Sequence, residues 1–255
     1  MKLKILTVCT LSIFLNSIIP ASAGWALRWS DEFNGNSVDT LKWNIEDWAS
    51  SRNNELQFYA PSDVYMEPTR SPSGWLTLRS QKRSYGGRSY TSGAINTKNK
   101  FSFTYGRIDV RAKLPIGQGI WPAAWLLPQD GTWPPELDIM ENLGHDPNLV
   151  YSTRWYGTSP NQMHDTGTFS GTSFNAAFHT FTMLWEPTQI RFYIDPPTNI
   201  DSATPFFRVT TNIPTKAMYI LLNTAVGGDW PGSPDATTVF PQYYNIDWVR
   251  VYYWQ

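Results

Sequence analysis

The hexapeptide ELDIME at positions 136–141 lies between a Trp-Pro-Pro turn and an Asn-Leu-Gly turn and holds three carboxylates. In a β-strand alternate side chains share a face, so Glu136 and Asp138 point the same way, whereas Glu141, at an odd offset, does not. A β-bulge between Asp138 and Glu141 would add one residue and bring all three carboxylates onto one surface. We therefore predict a bulged strand here, and such bulges are frequent next to active sites.

This set of carboxylates suits the cleavage of glycosidic bonds, which needs one carboxylate as nucleophile or base and one carboxylic acid as proton donor. Carboxyl groups about 5–5.5 Å apart predict retention of the anomeric configuration, and a wider gap predicts inversion. Crowding of like charges raises the pKa of at least one member and keeps it protonated as a general acid. The spacing alone fits an ordinary solvated strand equally well, so other segments of the chain are needed to distinguish the two interpretations.

The beginning of the chain has the features of a signal peptide. Lysines precede an apolar run at positions 5–15, and Ala-Ser-Ala at positions 21–23 supplies a small-residue cleavage site. We expect removal of residues 1–23, secretion into the extracellular or periplasmic space, and no membrane attachment after cleavage. The sole cysteine, Cys9, lies in this leader, so the remaining chain would have no disulfide and no cysteine metal ligand.

The rest of the chain has the pattern of an all-β protein. Polar and apolar residues alternate with a period of two at positions 107–114, 189–195 and 245–253. Glycine and proline separate such runs, and apart from a short helical turn near residues 39–43 nothing predicts a helix. We predict one domain, residues 24–255, with an antiparallel β-sandwich of the jelly-roll type, and we expect a monomer. A net charge of −1 without a basic tract argues against nucleic acid as a partner.

The chain contains 13 tryptophans, and their positions indicate a carbohydrate ligand. Sugar rings carry apolar C–H faces that stack on indole, while their hydroxyls need polar partners. Trp121 and Trp125 precede the acidic strand, and Trp230 lies in a Gly-Gly-Asp-Trp-Pro-Gly loop, so these three are our ligand candidates. Most tryptophans in any protein belong to the core. Three in apolar, strand-like contexts are assigned to it here: Trp43, Trp185 and Trp248.

The ELDIME stretch resembles the bulged acidic signature of glycoside hydrolase family 16. Other segments resemble further parts of that family in the expected order: residues 29–33 (WSDEF), 53–57 (NNELQ), 117–128, 222–232 and 246–252. The six-residue bulged signature together with the GGDWPG loop is similar to the laminarinases, which are endo-1,3-β-glucanases. The resemblance implies a concanavalin A-like jelly roll with a concave substrate cleft and a retaining double displacement.

The resemblance also implies roles for individual residues. Glu136 would be the nucleophile, Glu141 the general acid and then base, and Asp138 the residue that orients and electrostatically tunes the nucleophile. Seven residues would contact the β-glucan: Asn53, Arg111, Trp121, Trp125, Trp155, Asn223 and Trp230. No catalytic cofactor is implied.

Members of this family often hold one structural calcium ion on the convex face, far from the chemistry. The positions that match this site are Glu32, Gly74 and Asp247, which would offer the mixture of backbone and carboxylate oxygens that a hard cation prefers. The three histidines are too dispersed for a zinc site.

Two departures from the family pattern leave the linkage specificity open. Trp155 stands where many laminarinases have histidine, and Ala94 stands where many relatives have arginine. We expect a secreted endo-β-glucanase that hydrolyses internal 1,3 bonds of laminarin-type glucan or of mixed 1,3-1,4 glucan. The alternatives are a glucan-binding lectin on the same fold, which would lack the carboxylates, and a family 16 hydrolase or transglycosylase of another polysaccharide such as lichenan or agar.

Overall fold

The computed structural model describes residues 24–67 and 74–255. The predicted signal peptide and Cys9 lie outside the described residues. Within them the strands are β1 Trp25–Asp31, β2 Asn44–Ile45, β3 Trp48–Ala49, β4 Gln57–Tyr59, β5 Val64–Glu67, β6 Trp75–Ser80, β7 Tyr90–Ser92, β8 Ala94–Asn96, β9 Gly106–Lys113, β10 Ile120–Pro128, β11 Glu136–Asn142, β12 Leu149–Thr158, β13 Asn161–Ser170, β14 His179–Glu186, β15 Gln189–Ile194, β16 Phe207–Val209, β17 Met218–Val226 and β18 Gln242–Trp254. Short 3₁₀ helices occupy Arg52–Asn54, Pro61–Asp63 and Ile200–Ser202. No helix in the described part of the chain is long and apolar enough to cross a membrane.

Two large sheets make up the molecule. The eight-stranded sheet has the order β16-β15-β14-β9-β18-β6-β5, with β1 also paired to β18. The seven-stranded sheet has the order β13-β12-β11-β10-β17-β8-β2, and the small third sheet has the order β3-β4-β7. Both large sheets are antiparallel throughout, and their inner faces share one core of buried side chains. The predicted antiparallel β-sandwich is confirmed.

Strand β9 shows how the alternating pattern builds this core. Ile108, Val110 and Ala112 are buried between the sheets, while Arg107 and Asp109 lie on the opposite face and bind each other through Arg107 Nε and Asp109 Oδ1 at 2.8 Å. The predicted strands at positions 189–195 and 245–253 are β15 and the main part of β18. Residues 39–43 form a single turn, in which the Trp43 N–H donates to Asp39 O at 2.9 Å.

The assignment of tryptophans to the core was right for Trp43 and Trp185, which are fully buried. It was wrong for Trp248, which is half-buried on the outer face of the eight-stranded sheet beneath the Arg250 guanidinium, 4.1 Å from the ring centroid. The cause is a register shift between Ile246 and Trp248, where β18 pairs with β9. The extra residue moves Trp248 to the face opposite that expected from simple alternation.

Candidate active site

The predicted bulge in the acidic strand is present. The pairing of β11 with β12 shifts register between Asp138 and Glu141. Ile139 and Met140 are both buried in the core, although they are consecutive, and the Ser152 hydroxyl donates to Ile139 O at 2.7 Å. Because two successive residues occupy the core side, Glu141 returns to the face that carries Glu136 and Asp138.

Glu141 lies in a row of paired residues that crosses the seven-stranded sheet. Glu141 is opposite Ala123 on β10 and Tyr151 on β12. Ala123 is also opposite Asn223, which is in turn opposite Ala94. Ala123 and Ala94 therefore lie on the same face of the sheet as Glu141, so the departure at position 94 lies on the face that carries the carboxylates.

Burial controls the protonation of the acidic residues. It raises the pKa of Glu136 to about 7, although a hydrogen bond from Trp133 and the charge of Arg52 act in the opposite direction. Burial also raises the pKa of Glu141 to about 8, and the neighbouring Glu136 charge adds to this effect. For Asp138 burial and then the charges of Glu136 and Glu141 raise the pKa well above its usual range. Near neutral pH the three groups are not all ionised, and Glu141 holds its proton more tightly than Glu136.

Each glutamate accepts a hydrogen bond from an indole. Trp121 Nε1 donates to Glu141 Oε1 at 3.0 Å, and Trp133 Nε1 donates to Glu136 Oε2 at 2.9 Å. Trp121 was predicted to contact the substrate, but its bond to the carboxyl was not foreseen. Trp133 was missed as a site residue. Its position three residues before Glu136 was the only indication in the sequence.

Two aromatic clusters flank the carboxylates. The Glu141 cluster consists of Trp121, Trp230 and Tyr151, in which the Trp230 ring meets the Trp121 ring edge-on at 5.4 Å and the Tyr151 ring at 4.8 Å between centroids. Trp230 is 41% exposed, so the ring remains available to a ligand.

The Glu136 cluster consists of Trp133, Trp155 and His164. The Trp155 ring centroid lies 5.8 Å from that of Trp133 and 4.5 Å from that of His164. Trp155 is the β12 partner of Glu136, so the second family departure also lies at the catalytic carboxylates.

The loop that carries Trp230 is anchored to the 3₁₀ helix at Arg52–Asn54. Asp229 N–H donates to Asn53 O at 2.8 Å, and Asn54 Nδ2 donates to Asp229 Oδ1 at 2.8 Å. Gly228 has φ +128°, and a Cβ there would lie 3.1 Å from Asn53 O, so only glycine fits this close approach. Asn53 is thus brought to the Trp230 side of the site, where its backbone oxygen supports the loop.

Trp125 and Asn223 form a fixed pair on the same face. Trp125 Nε1 donates to Asn223 Oδ1 at 2.7 Å, and Asn223 Nδ2 donates to the Tyr59 hydroxyl at 2.9 Å. These bonds set the orientation of the amide and leave one N–H of Asn223 for a ligand. Trp125 can offer only its ring face.

Arg111 is not brought to the site, and its predicted contact with substrate is corrected here. It lies on β9 in the eight-stranded sheet, where it forms an ion pair with Asp247 and packs over the Phe178 ring at 5.2 Å. Ala112 beside it faces the core, so Arg111 faces away from the core on the far side of the molecule. The contact was carried over from the family resemblance, and the sequence around Arg111 does not show which of the two sheets carries the residue.

The residues predicted for calcium lie near one another but have other partners. Gly74 approaches the chain beside Glu32, since a Cβ there would lie 3.4 Å from Phe33 O. The Glu32 carboxylate accepts two bonds from Arg250 at 2.9 and 2.7 Å, and Asp247 is paired with Arg111. Among the described residues no group of three or more His, Cys, Asp or Glu side chains is placed to hold a metal ion. A cation would have to take Asp247 from Arg111, and calcium binding stays a prediction.

Comparison with known proteins places this geometry in a family. The family model "Glycosyl hydrolases family 16" matches residues 39–250. The chain belongs to glycosyl hydrolase family 16. The predictions of this family and of a glycosidase are thereby confirmed.

Individual relatives agree with this assignment. The chain is 35% identical to glucan endo-1,3-beta-glucosidase A1 of Niallia circulans over 91% of its own length, but it spans only 38% of that protein. It is 34% identical to a beta-glucanase of Rhodothermus marinus, covering 90% of this chain and 86% of the relative. Among solved structures it is similar to the catalytic domain of an endo-1,3-beta-glucanase (laminarinase) from Thermotoga petrophila RKU-1. The TM-score is 0.80 at 32% identity, with 91% of this chain and 99% of the other covered. The predicted jelly-roll architecture is therefore confirmed.

Proposed function

We propose that this family 16 glycosidase is a secreted endo-β-glucanase that hydrolyses internal 1,3-β-glucosidic bonds of laminarin-type glucans with retention of configuration. The observation that carries the proposal is the bulged strand β11. It presents Glu136 and Glu141 on one face, each bonded to an indole and each flanked by an aromatic cluster. The relatives include endo-1,3-β-glucanases and a β-glucanase, which supports the substrate class.

In the first step the ionised Glu136 attacks the anomeric carbon of the glucose unit on its side of the scissile bond. The bond from that carbon to the glycosidic oxygen breaks, and Glu141 gives its proton to the departing oxygen. The higher pKa of Glu141 supports this division, because the group that keeps its proton at neutral pH is the one suited to act as the acid.

In the second step Glu141, now ionised, takes a proton from water as the water oxygen attacks the same carbon. The bond to Glu136 breaks, its carboxylate re-forms, and Glu141 regains its proton. Two displacements at one carbon restore the original β configuration. Both glutamates end in the state in which they began.

Asp138 supports the nucleophile as a neutral group. Burial, and then the charges of Glu136 and Glu141, raise the pKa of Asp138 and favour its protonated form, while a hydrogen bond with Trp155 acts in the opposite direction. A protonated carboxyl can donate a hydrogen bond, whereas an ionised one cannot. Asp138 thus orients Glu136 without adding a third negative charge to the site.

The two aromatic clusters serve as platforms for glucose units on either side of the scissile bond. Trp230 and Trp133 expose 41% and 42% of their surface, which leaves ring area for the C–H faces of sugars. The names of the endo-1,3-beta-glucosidase and endo-1,3-beta-glucanase relatives support cleavage inside a polymer.

The decisive experiment is product analysis on laminarin, lichenan, agarose and xyloglucan under identical conditions, with Glu136→Gln as the inactive control. We expect oligosaccharides of several lengths from laminarin at early times. Proton NMR during early hydrolysis should show the β anomer first. Release of product only from agarose or xyloglucan would refute the substrate, and an initial α anomer would refute retention.

Export of the chain is part of the proposal and has its own test. The lysines, apolar run and Ala-Ser-Ala site at the beginning of the sequence support it. Expression with the full leader should release protein that begins at Gly24, as read by N-terminal sequencing. Recovery of the uncleaved chain inside the cell would contradict export.

A further inference from the structure

Trp133 lies where it can act on Glu136 directly. Its indole N–H donates to Glu136 Oε2 at 2.9 Å, and its ring rests against Trp155, whose backbone pairs with that of Glu136. The side chain is 42% exposed, so packing in the core does not explain its position. A tryptophan held at a carboxylate while much of its apolar ring remains in water calls for a functional reason.

The chemistry of the indole N–H limits what this bond can do. The indole nitrogen donates and never accepts, so the group it contacts is favoured in its ionised form. A hydrogen bond to an ionised acceptor is roughly twice as strong as one between neutral groups. Trp133 therefore favours a charged Glu136 over a protonated one, and it fixes one of the two carboxylate oxygens.

We propose that Trp133 is a positioning residue for the nucleophile, holding Oε2 of Glu136 so that Oε1 is the oxygen that attacks. The inference rests on the proposed function, in which Glu136 is the nucleophile. In the first step the anomeric carbon bonds to Oε1 and the aglycone leaves with the proton of Glu141. Oε2 becomes the ester carbonyl and keeps the N–H of Trp133.

The same bond assists the second step. When water attacks, the bond between the anomeric carbon and Oε1 breaks and its electron pair returns to the carboxylate. Negative charge then develops on Glu136, and the hydrogen bond to Oε2 strengthens as it does so. An interaction that grows towards the transition state raises kcat more than it lowers KM.

Substrate binding would reinforce this arrangement. A sugar placed on the exposed ring of Trp133 would shield the N–H and Oε2 from water, and a hydrogen bond removed from water is electrostatically stronger. Sugar binding at the Glu136 cluster would thus strengthen the hydrogen bond that holds Oε2 of Glu136 in place. The charged group that acts on Glu136 is Arg52, and the neighbouring titratable groups are Asp138 and Glu141, whose pKa values the charge of Glu136 raises.

The test is Trp133→Phe, which removes the N–H but keeps an aromatic ring against Trp155. On a β-glucan that the wild-type enzyme cleaves, we expect kcat to fall on the order of 10- to 100-fold, as for the loss of a hydrogen bond to a charged group. KM should change by about twofold or less, because the ring still meets the sugar. The acid limb of the kcat/KM profile should move to higher pH, since the bond from Trp133 lowers the pKa of Glu136.

The matched control is Trp254→Phe, which makes the same chemical change at a 54% exposed ring at the far end of β18. It should leave kcat and the pH profile unchanged. Trp133→Ala separates the ring from the N–H, and we expect a loss in kcat like that of Trp133→Phe together with a raised KM. The melting temperature of each variant, measured in parallel, should stay close to that of the wild type, since both side chains are largely exposed.

Wild-type kcat and an unmoved acid limb in Trp133→Phe would overturn the inference, as would a loss confined to KM. Such a result with an active wild-type enzyme would leave the proposed function intact. A wild-type enzyme that cleaves none of the β-glucans would refute the proposed function instead.

Discussion

The two ends of strand β11 carry the same side chain in different surroundings. Glu136 is half-buried, accepts a bond from the half-exposed Trp133 and feels the positive charge of Arg52. Glu141 is more deeply buried, accepts its bond from Trp121 and feels the negative charge of Glu136. Two identical groups on one strand thus differ in proton affinity because of their neighbours alone.

This difference supports the roles proposed for the two glutamates. Trp133 and Arg52 favour the carboxylate at Glu136, whereas the charge of Glu136 favours the acid at Glu141. The aromatic clusters differ as well, since the Glu136 cluster contains His164 and the Glu141 cluster contains Tyr151. Each variant described below alters one glutamate or its surroundings, and the other glutamate serves as the reference.

The largest effect is expected when either glutamate is removed. Glu136→Ala and Glu141→Ala should each lower hydrolysis on the order of 10²- to 10⁴-fold, the usual contribution of a positioned catalytic group. Added azide should then restore turnover with different products. In Glu136→Ala azide replaces the nucleophile and a single displacement gives the α-glycosyl azide, whereas in Glu141→Ala azide attacks the glycosyl-enzyme and gives the β-glycosyl azide.

The azide experiment needs a substrate with a good leaving group, such as a dinitrophenyl laminaribioside, so that Glu141→Ala can complete its first step. The anomers are assigned by proton NMR. Exchange of the two products would mean that the roles of Glu136 and Glu141 are reversed.

A smaller effect is expected from Trp121→Phe, which removes the indole donor at the Glu141 end. The bond from Trp121 lowers the pKa of Glu141, so its loss should move the alkaline limb of kcat/KM to higher pH. We expect activity to fall several-fold and KM to change by about twofold or less, because a phenyl ring remains for the sugar. The pH profile of kcat/KM should therefore widen in Trp121→Phe, where the alkaline limb moves, and narrow in Trp133→Phe, where the acid limb moves. Movement of the same limb in both variants would contradict the difference between the two glutamates.

The pH dependence of thermal stability should also differ between the two glutamates. A folded-state pKa of about 8 for Glu141, against the ordinary 4.5, means that the folded protein is penalised as pH rises through this window and not below it. Glu141→Gln should therefore melt on the order of 10 °C higher than the wild type at pH 8 and equally at pH 4, since each kcal/mol is worth roughly 2–4 °C in a domain of this size.

Glu136→Gln should show the same trend with a smaller gain, because the pKa of Glu136 rises only to about 7. The measurement is differential scanning calorimetry at several pH values. A gain that is independent of pH for both variants would show that packing rather than charge is responsible.

The smallest effect is expected from Arg52→Gln. Arg52 lowers the pKa of Glu136 from an exposed position, so its removal should raise the acid limb of kcat/KM by a few tenths of a pH unit. Salt at about 1 M screens such interactions beyond roughly 3 Å, so the difference should vanish there. Arg28→Gln, an exposed arginine packed over Tyr253, is the control and should change neither limb.

The sequence predicted the bulge in β11 correctly because the information there is local. Three carboxylates at offsets of two and three residues can share a face only through a bulge, and apolar Leu137, Ile139 and Met140 between them require a core on the other side. Trp121, on β10, and Trp230 do lie beside Glu141, and their contact with substrate stays a prediction.

The sequence was less informative where partners come from distant strands. Trp248 was misplaced because a period of two does not reveal an unmarked bulge. Arg111 was misplaced because a role carried over from the family resemblance does not show which sheet holds the residue. Trp133 was missed because its bond to Glu136 depends on how the Trp-Pro-Pro turn folds back.

By itself, then, the sequence determined the all-β class, the bulged acidic strand and the family. Only the tertiary structure decided which glutamate lies near Arg52, which indole holds each carboxyl, and which arginine belongs to the opposite sheet. The position of a residue along a strand determines which face its side chain occupies. The proton affinity of a carboxyl depends instead on burial and on charges brought close by the packing of strands far apart in the chain.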